Sequence, residues 1–303
     1  ILRGRNRYVG SNTCCMLTGL RKNKETTTMM GKKMLNRRYF LQAGAAAGIA
    51  APVTAWGQPQ IKQTLDLNDP EDCLTAMVKM RASLEAVDSP NWYFGTIYGV
   101  LPGKAPVPMV DYEGSEIDYY ERQPDGSYRA YGATVSFFRD TRTRKRIDAF
   151  DNPITGKRNE VQPNSISVKA HYIYSIYGGK RSDDDRPLGT TPAIHKQLKW
   201  TESGEYIWLN TRRPYPAGIA MGEDQTVQGT LRELHDPDMP KVYATASPTY
   251  IAPWLSWMDM KGHPGHTVWA GPARKVDSVK DYPRELLDFL EKNFPHKLTA
   301  KPS

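Results

Sequence analysis

Ile117-Asp118-Tyr119-Tyr120-Glu121-Arg122 is followed by Gln123-Pro124-Asp125-Gly126-Ser127 and then by Tyr128-Arg129-Ala130-Tyr131-Gly132-Ala133-Thr134-Val135-Ser136-Phe137-Phe138-Arg139. Two runs rich in Tyr, Ile, Val, Thr and Phe flank a short connection built on Pro-Asp-Gly, the composition of two strands joined by a turn. Strands joined so briefly lie antiparallel. This hairpin decides the class of the chain, because its rhythm continues on both sides.

Working outward, strands are predicted at Trp92–Leu101, Val107–Tyr112, Ile117–Arg122, Tyr128–Arg139, Lys145–Phe150, Ser165–Ile176, Lys196–Thr201, Tyr206–Thr211, Val227–Leu234 and Val242–Ala246. Asp140-Thr141-Arg142-Thr143, Asn152-Pro153-Ile154-Thr155-Gly156 and Ser203-Gly204 supply further turns. Strands joined in sequence build meanders, and closing a meander removes its exposed edges. The expected fold is therefore mainly β: a single antiparallel up-and-down barrel of the calycin or lipocalin kind, or a strongly curved sheet, with a sandwich as the alternative.

Two helices frame it. Asp69 caps a helix with Pro70 in its first turn and Glu71 against its dipole, and Leu74, Met77, Val78, Met80, Leu84 and Val87 recur on one face until Ser89-Pro90. A second is signalled by Asp281-Tyr282-Pro283-Arg284-Glu285, with Leu286, Leu287, Phe289, Leu290 and Phe294 as its stripe. It is expected to pack outside the barrel or to plug one end. One β-rich domain over residues 65–295, with 296–303 as a tail, accounts for this part of the chain.

The 303 residues are 39% hydrophobic and 24% charged, a composition that excludes collagen-like, coiled-coil, disulfide-dense and polytopic membrane classes. The formal charge of +8 sits at the front: residues 1–60 hold ten basic residues and one acidic, leaving 31 basic against 32 acidic beyond them. A neutral body lacks the electrostatic footprint of nucleic-acid binding.

That basic front has the parts of a signal peptide. Met34-Leu35-Asn36-Arg37-Arg38-Tyr39-Phe40-Leu41-Gln42 precedes an Ala/Gly-rich stretch from Ala43 to Ala51, and Val53-Thr54-Ala55 offers small residues for cleavage. Arg37, Arg38, Phe40 and Leu41 resemble the twin-arginine (Tat) signal. Residues 34–57 are thus expected to form a Tat signal peptide, with the Tat export machinery as partner, a periplasmic or secreted destination and no stable membrane span after cleavage. Residues 1–33 are expected to be translation from too far upstream, which leaves Cys73 as the one cysteine of the mature protein.

The order of a Tat leader, a short helix, Tyr93 to Gly99, Asp125-Gly126-Ser127-Tyr128-Arg129, the block from Phe138-Arg139-Asp140 to Asn152-Pro153-Ile154-Thr155-Gly156-Lys157, Pro253-Trp254-Leu255 and His263-Pro264-Gly265 resembles the exported bacterial proteins grouped as domain-of-unknown-function family 1838. The resemblance covers about residues 65 to 295. It implies a single β-rich domain and carries over no catalytic residue.

No dinucleotide, P-loop, Cys-x-x-Cys, zincin or hydrolase-elbow motif appears in its required context, so no motif calls for a cofactor. Three groups of residues remain as candidates. Asp259, His263 and His266 offer metal-type ligands, although Pro264-Gly265 puts the histidines on a turn, and an irregular surface loop is the competing reading. Trp92, Tyr172, Tyr250, Trp254, Trp257 and Trp269 supply aromatic area for a flat or hydrophobic ligand, or simply a core. His171, and the pair His263 and His266, are the candidate general acid–base residues. The expected function is binding of a small hydrophobic or aromatic molecule inside a β-barrel; the alternatives are an isomerase, lyase or hydrolase on the same fold and a structural envelope protein. An inward polar residue with a carboxylate partner would favour the enzyme, an apolar cavity the binder, and a filled core the structural protein.

Overall fold

The helix expected after Asp69 is α1 (Pro70–Arg81), and the Asp69 carboxylate accepts from the Glu71 and Asp72 amides as a cap should. Strands β1 (Ser89–Val100), β2 (Val107–Arg122), β3 (Tyr128–Arg139), β4 (Ala149–Asp151), β5 (Arg158–Glu160), β6 (Asn164–Ile166), β7 (Tyr172–Ser175) and β8 (Gly178–Arg181) follow. After α2 (Ile194–Gln197) come β9 (Lys199–Ser203), β10 (Tyr206–Pro214), β11 (Gly222–Thr230), α3 (Leu231–His235), β12 (Thr245–Ala252), β13 (His266–Ala270), β14 (Ala273–Lys275) and α4 (Arg284–Asn293). This computed structural model describes residues 64–166, 172–182, 193–214 and 222–302. The leader, with Arg37, Arg38, Phe40 and Leu41, and His171 lie outside the described residues.

Twelve strands form one antiparallel sheet whose main path runs β8-β7-β3-β2-β1-β13-β12-β11-β10-β9, while β4 and β5 pair separately. Most strands lie beside their sequence neighbours, as a meander requires, and the first and last long runs meet where Ile97 faces Trp269 and Thr96 faces Ala270. This is the strand order of an up-and-down barrel opened between β8 and β9. The expectation of a mainly antiparallel β fold with an N-terminal and a C-terminal helix holds.

Differences from the expected elements have local causes. Val107–Tyr112 and Ile117–Arg122 are one sixteen-residue strand, because Glu113-Gly114-Ser115-Glu116 continues the ladder instead of turning. Gly114 is there for space: a Cβ would lie 2.5 Å from the Tyr93 ring, which crosses it from β1. Val227–Leu234 breaks at Leu231, where the Thr230 hydroxyl accepts from the Glu233 amide and starts α3. The strand expected at Val242–Ala246 begins instead at Thr245 and runs to Ala252, and β13 and β14, absent from the sequence reading, bring Trp269 into the sheet beside β1. Helix α1 stops at Arg81, leaving Val87 46% exposed.

Packing divides the helices between the two faces. α1 is buried nearly all round rather than on one face: its Leu74, Met77 and Val78 share a core with Tyr120, Tyr128 and Tyr174 from one arm of the sheet and Ile207, Leu209 and Val227 from the other. It fills the concave side. α4 covers the opposite face, its Leu286, Phe289 and Leu290 packed with Val135 and Phe137. Arg139 clamps it, donating both to buried Glu113 at 2.5 Å and to Glu285 at 2.9 Å. The aromatic end of the inner face is filled by Tyr112, Phe138, Phe150, Met258 and Trp269. No described helix is long and apolar enough to cross a membrane.

Candidate functional site

Along β2, alternate residues point to the inner face of the sheet: Val110 and Tyr112 belong to the aromatic core, Tyr120 to the core around α1, and Glu116 and Asp118 fall between them. Neighbouring strands repeat this band. Register places Thr134 opposite Glu116 and Gly132 opposite Asp118 on β3, with Tyr172 opposite Ala130 on β7. Glu223 and Gln225 precede the buried Val227 on β11. Between two apolar cores the sheet thus carries a polar belt, and a cavity of about 180 Å³ opens within it, bordered by Arg81, Glu116, Asp118, Tyr120, Tyr172, Tyr174, Glu223 and Gln225. A narrower extension of about 30 Å³ shares Arg81, Glu116, Asp118 and Gln225 and reaches Asn91 and Ala273.

Arg81 enters the belt from the last position of α1. Its Nη1 donates to Gln225 Oε1 at 3.0 Å, while Nε is shielded from solvent and finds no acceptor. Burial works against the guanidinium charge, but Tyr120, Tyr174, Asp118 and Glu223 outweigh it and hold the Arg81 pKa well above its ordinary value. The Tyr120 hydroxyl is raised by burial and by Tyr174, against the opposing pull of Arg81. The Tyr120 and Tyr174 rings stack at 5.9 Å, and Tyr172 lies 6.1 Å from Tyr174.

The end of α1 is itself held by a cation. Lys275, 3% exposed on β14, donates from Nζ to the carbonyls of Lys79, Met80 and Ala82 at 3.1, 3.0 and 2.9 Å. These are helix-terminal carbonyls with the negative end of the dipole, the place where an ammonium is best accommodated. Arg81 lies between two of the held residues. Buried Lys79 in turn donates from its own Nζ to the Leu234 and Asp236 carbonyls at the end of α3, both at 2.7 Å.

Of the candidates named from sequence, Tyr172 borders the chamber. Trp257 packs on Phe138 and Phe150, and Trp269 on Tyr112, Phe138 and Tyr250, with its Nε1 donating to Thr267. Trp254 covers Gly99 and Gly265, and Trp92 lies with α4, its Nε1 on Glu113. These rings pack in or against the buried cores, and none of them borders the chamber around Arg81. Asp259 pairs with Lys157 at 2.7 Å, His263 is exposed in the following turn, and His266 begins β13 opposite Val100. Among the described residues no three His, Cys, Asp or Glu side chains are gathered for a metal ion.

A larger groove of about 830 Å³ lies elsewhere, between the start of α1, the β2–β3 turn and the β7–β8 turn. Of its charged residues, Glu71, Arg122, Asp125, Arg129 and Lys180 are exposed to water and Asp72 is half-buried. The smaller chamber instead gathers half-buried Arg81, Glu116, Asp118, Glu223 and Gln225 beside buried Tyr120 and Tyr174, and there charge acts through a lower dielectric than at the open surface. Sequence reasoning missed Glu116 because it left residues 113–116 between two strands, and it set Asp118 on a strand without singling it out; the continuous ladder puts both on the face of Tyr120.

No curated protein matches the chain. The solved structure titled "Crystal Structure of Rv2717c from M. tuberculosis" aligns at 11% identity over 62% of this chain and 91% of that chain, with a TM-score of 0.20, too slight a likeness to support the fold. The family model described as "Protein of unknown function (DUF1838)" matches residues 88–303, which include every strand from β1 to β14, and the chain belongs to that family.

Proposed function

We propose that this protein is exported through the Tat route and binds a small polar molecule in the chamber around Arg81. The observation that carries the binding reading is the convergence of Arg81, Glu116, Asp118, Glu223 and Gln225 on one cavity between two packed cores. Drawing that many polar groups partly out of water costs stability, and a fold that needed only a core would be served better by apolar side chains. The polar lining turns the expectation of a hydrophobic or aromatic ligand toward a hydrogen-bonding one, since the aromatic residues proposed to hold it are packed on one another. Export rests on the Arg37-Arg38-Tyr39-Phe40-Leu41 leader.

A second reading has support from the same belt. Inward carboxylates beside a guanidinium and tyrosine hydroxyls are the parts of general acid–base catalysis, so an isomerase, lyase or hydrolase using Glu116 or Asp118 is the alternative. A thermal-shift screen of the mature chain from Trp56 against small polar, hydrophobic and metal-ion panels tests both. A true ligand at a hundredfold excess over its Kd adds about 2.7 kcal/mol, equivalent to roughly 5–10 °C for a domain of this size. Turnover of the hit separates enzyme from binder, and the absence of any shift favours the structural envelope protein.

A further inference from the structure

We infer that the chamber takes a neutral, hydroxyl-rich molecule of about one sugar ring, an inference that rests on the chamber being a binding site. The charge pattern sorts the ligand classes. Three carboxylates, Glu116, Asp118 and Glu223, border the cavity against the one guanidinium of Arg81 among the described lining residues, which opposes an anion. A cation meets the Arg81 charge and brings nothing for that residue to donate to, although its Nε is buried without an acceptor. An apolar ligand offers neither the carboxylates nor the guanidinium a hydrogen bond.

A hydroxyl resolves both demands, because it donates to a carboxylate and accepts from a guanidinium at the same time. Glu116 and Asp118, two residues apart on one strand face, present successive acceptors, and Gln225 offers a side chain able to act in either sense. Tyr172 and Tyr174 add ring faces on which the C–H side of a sugar packs. The cavity of about 180 Å³ falls short of the roughly 300–1,000 Å³ of drug-sized sites, which limits the ligand to one ring or a short polyol.

Calorimetric titration of the mature protein with glucose, myo-inositol and glycerol as neutral probes, ethanolamine and choline as cations, and acetate and malonate as anions tests this. The probes stay in the low millimolar range, since molar polyols stabilise proteins generally by exclusion from their surface. At least one neutral probe is expected to bind, about tenfold more weakly to Glu116→Gln and to Tyr172→Ala, with no change in Tyr177→Ala, which alters the outer groove. Binding of only amines or carboxylates, lost in Glu116→Gln, overturns the ligand class while leaving the chamber a binding site. Polyol binding that Tyr177→Ala alone abolishes moves the ligand to the groove and overturns the inference. No binding of any probe overturns the chamber reading itself.

Discussion

Nη1 of Arg81, at the end of α1, donates to Oε1 of Gln225 on β11 at 3.0 Å. The helix that fills the concave side of the sheet therefore also delivers the cation of the polar belt, so folding and site formation depend on one another.

Replacing Arg81 tests that dependence. Arg81→Met removes a buried charge beside Asp118 and Glu223 and is expected to cost about 3 kcal/mol, the scale for breaking a buried ion pair from one side. Gln225→Ala removes one acceptor and should cost about 1 kcal/mol. Urea unfolding measures both; equal and small losses would show that the carboxylates do not depend on the guanidinium.

Lys275 should make stability depend on pH. Burial lowers its pKa to about 7 in the folded protein, against 10.5 ordinarily, so between those values the unfolded chain binds more protons and stability rises with pH. The charged form's burial penalty is fully present below the folded value and is relieved above it. Lys275→Met is expected to lose that alkaline rise, and to lose about 3 kcal/mol by leaving helix-terminal carbonyls unmet. Denaturation midpoints across the neutral to alkaline range check both, and an identical pH profile in the variant would contradict the assignment.

The clamp on α4 should be asymmetric. Glu113 is 7% exposed and receives Arg139 and Trp92, so Arg139→Met leaves a buried carboxylate and should cost about 3 kcal/mol. The Glu285 side chain is half-exposed, and Glu285→Gln should cost under about 1 kcal/mol. Hydrogen exchange across α4 reads the difference directly, with the helix opening readily in the first variant and scarcely in the second.

Export has its own test. Exchanging Arg37 and Arg38 together for lysine is expected to leave the precursor unprocessed inside the cell, whereas replacing upstream Lys32 and Lys33 should not. Export surviving the arginine exchange would remove the Tat reading and leave the chamber untouched.

Much of the fold was legible because it rests on local signals. Pro124-Asp125-Gly126 sets the β2–β3 turn, with Gly126 at φ +82°, and Asp69-Pro70 fixes the start of α1. The site was hidden for two reasons. The Glu113-Gly114-Ser115-Glu116 run has the composition of a turn, and it is pairing with β1 and β3, with Tyr93 fitting over Gly114, that keeps it extended. Arg81 reads as a polar residue within an amphipathic helix that runs on to Val87, and nothing local shows that sheet surrounds this helix. Conversely, the Trp-rich C-terminal segment looks like a ligand site because packed aromatics and pocket aromatics have the same composition; strand pairing to β1 decides which they are.

The most direct measurement is a heteronuclear NMR titration of the mature protein with the strongest compound from the screen, following the Arg81 Nε–Hε and Gln225 side-chain amide signals. Binding in the chamber should move both, along with the amides of Glu116, Asp118 and Tyr172, to saturation at one common Kd. Saturable shifts confined to Arg122, Ser127 and Tyr177, with the Arg81 signal unmoved, would place the ligand in the outer groove and contradict the chamber as the site.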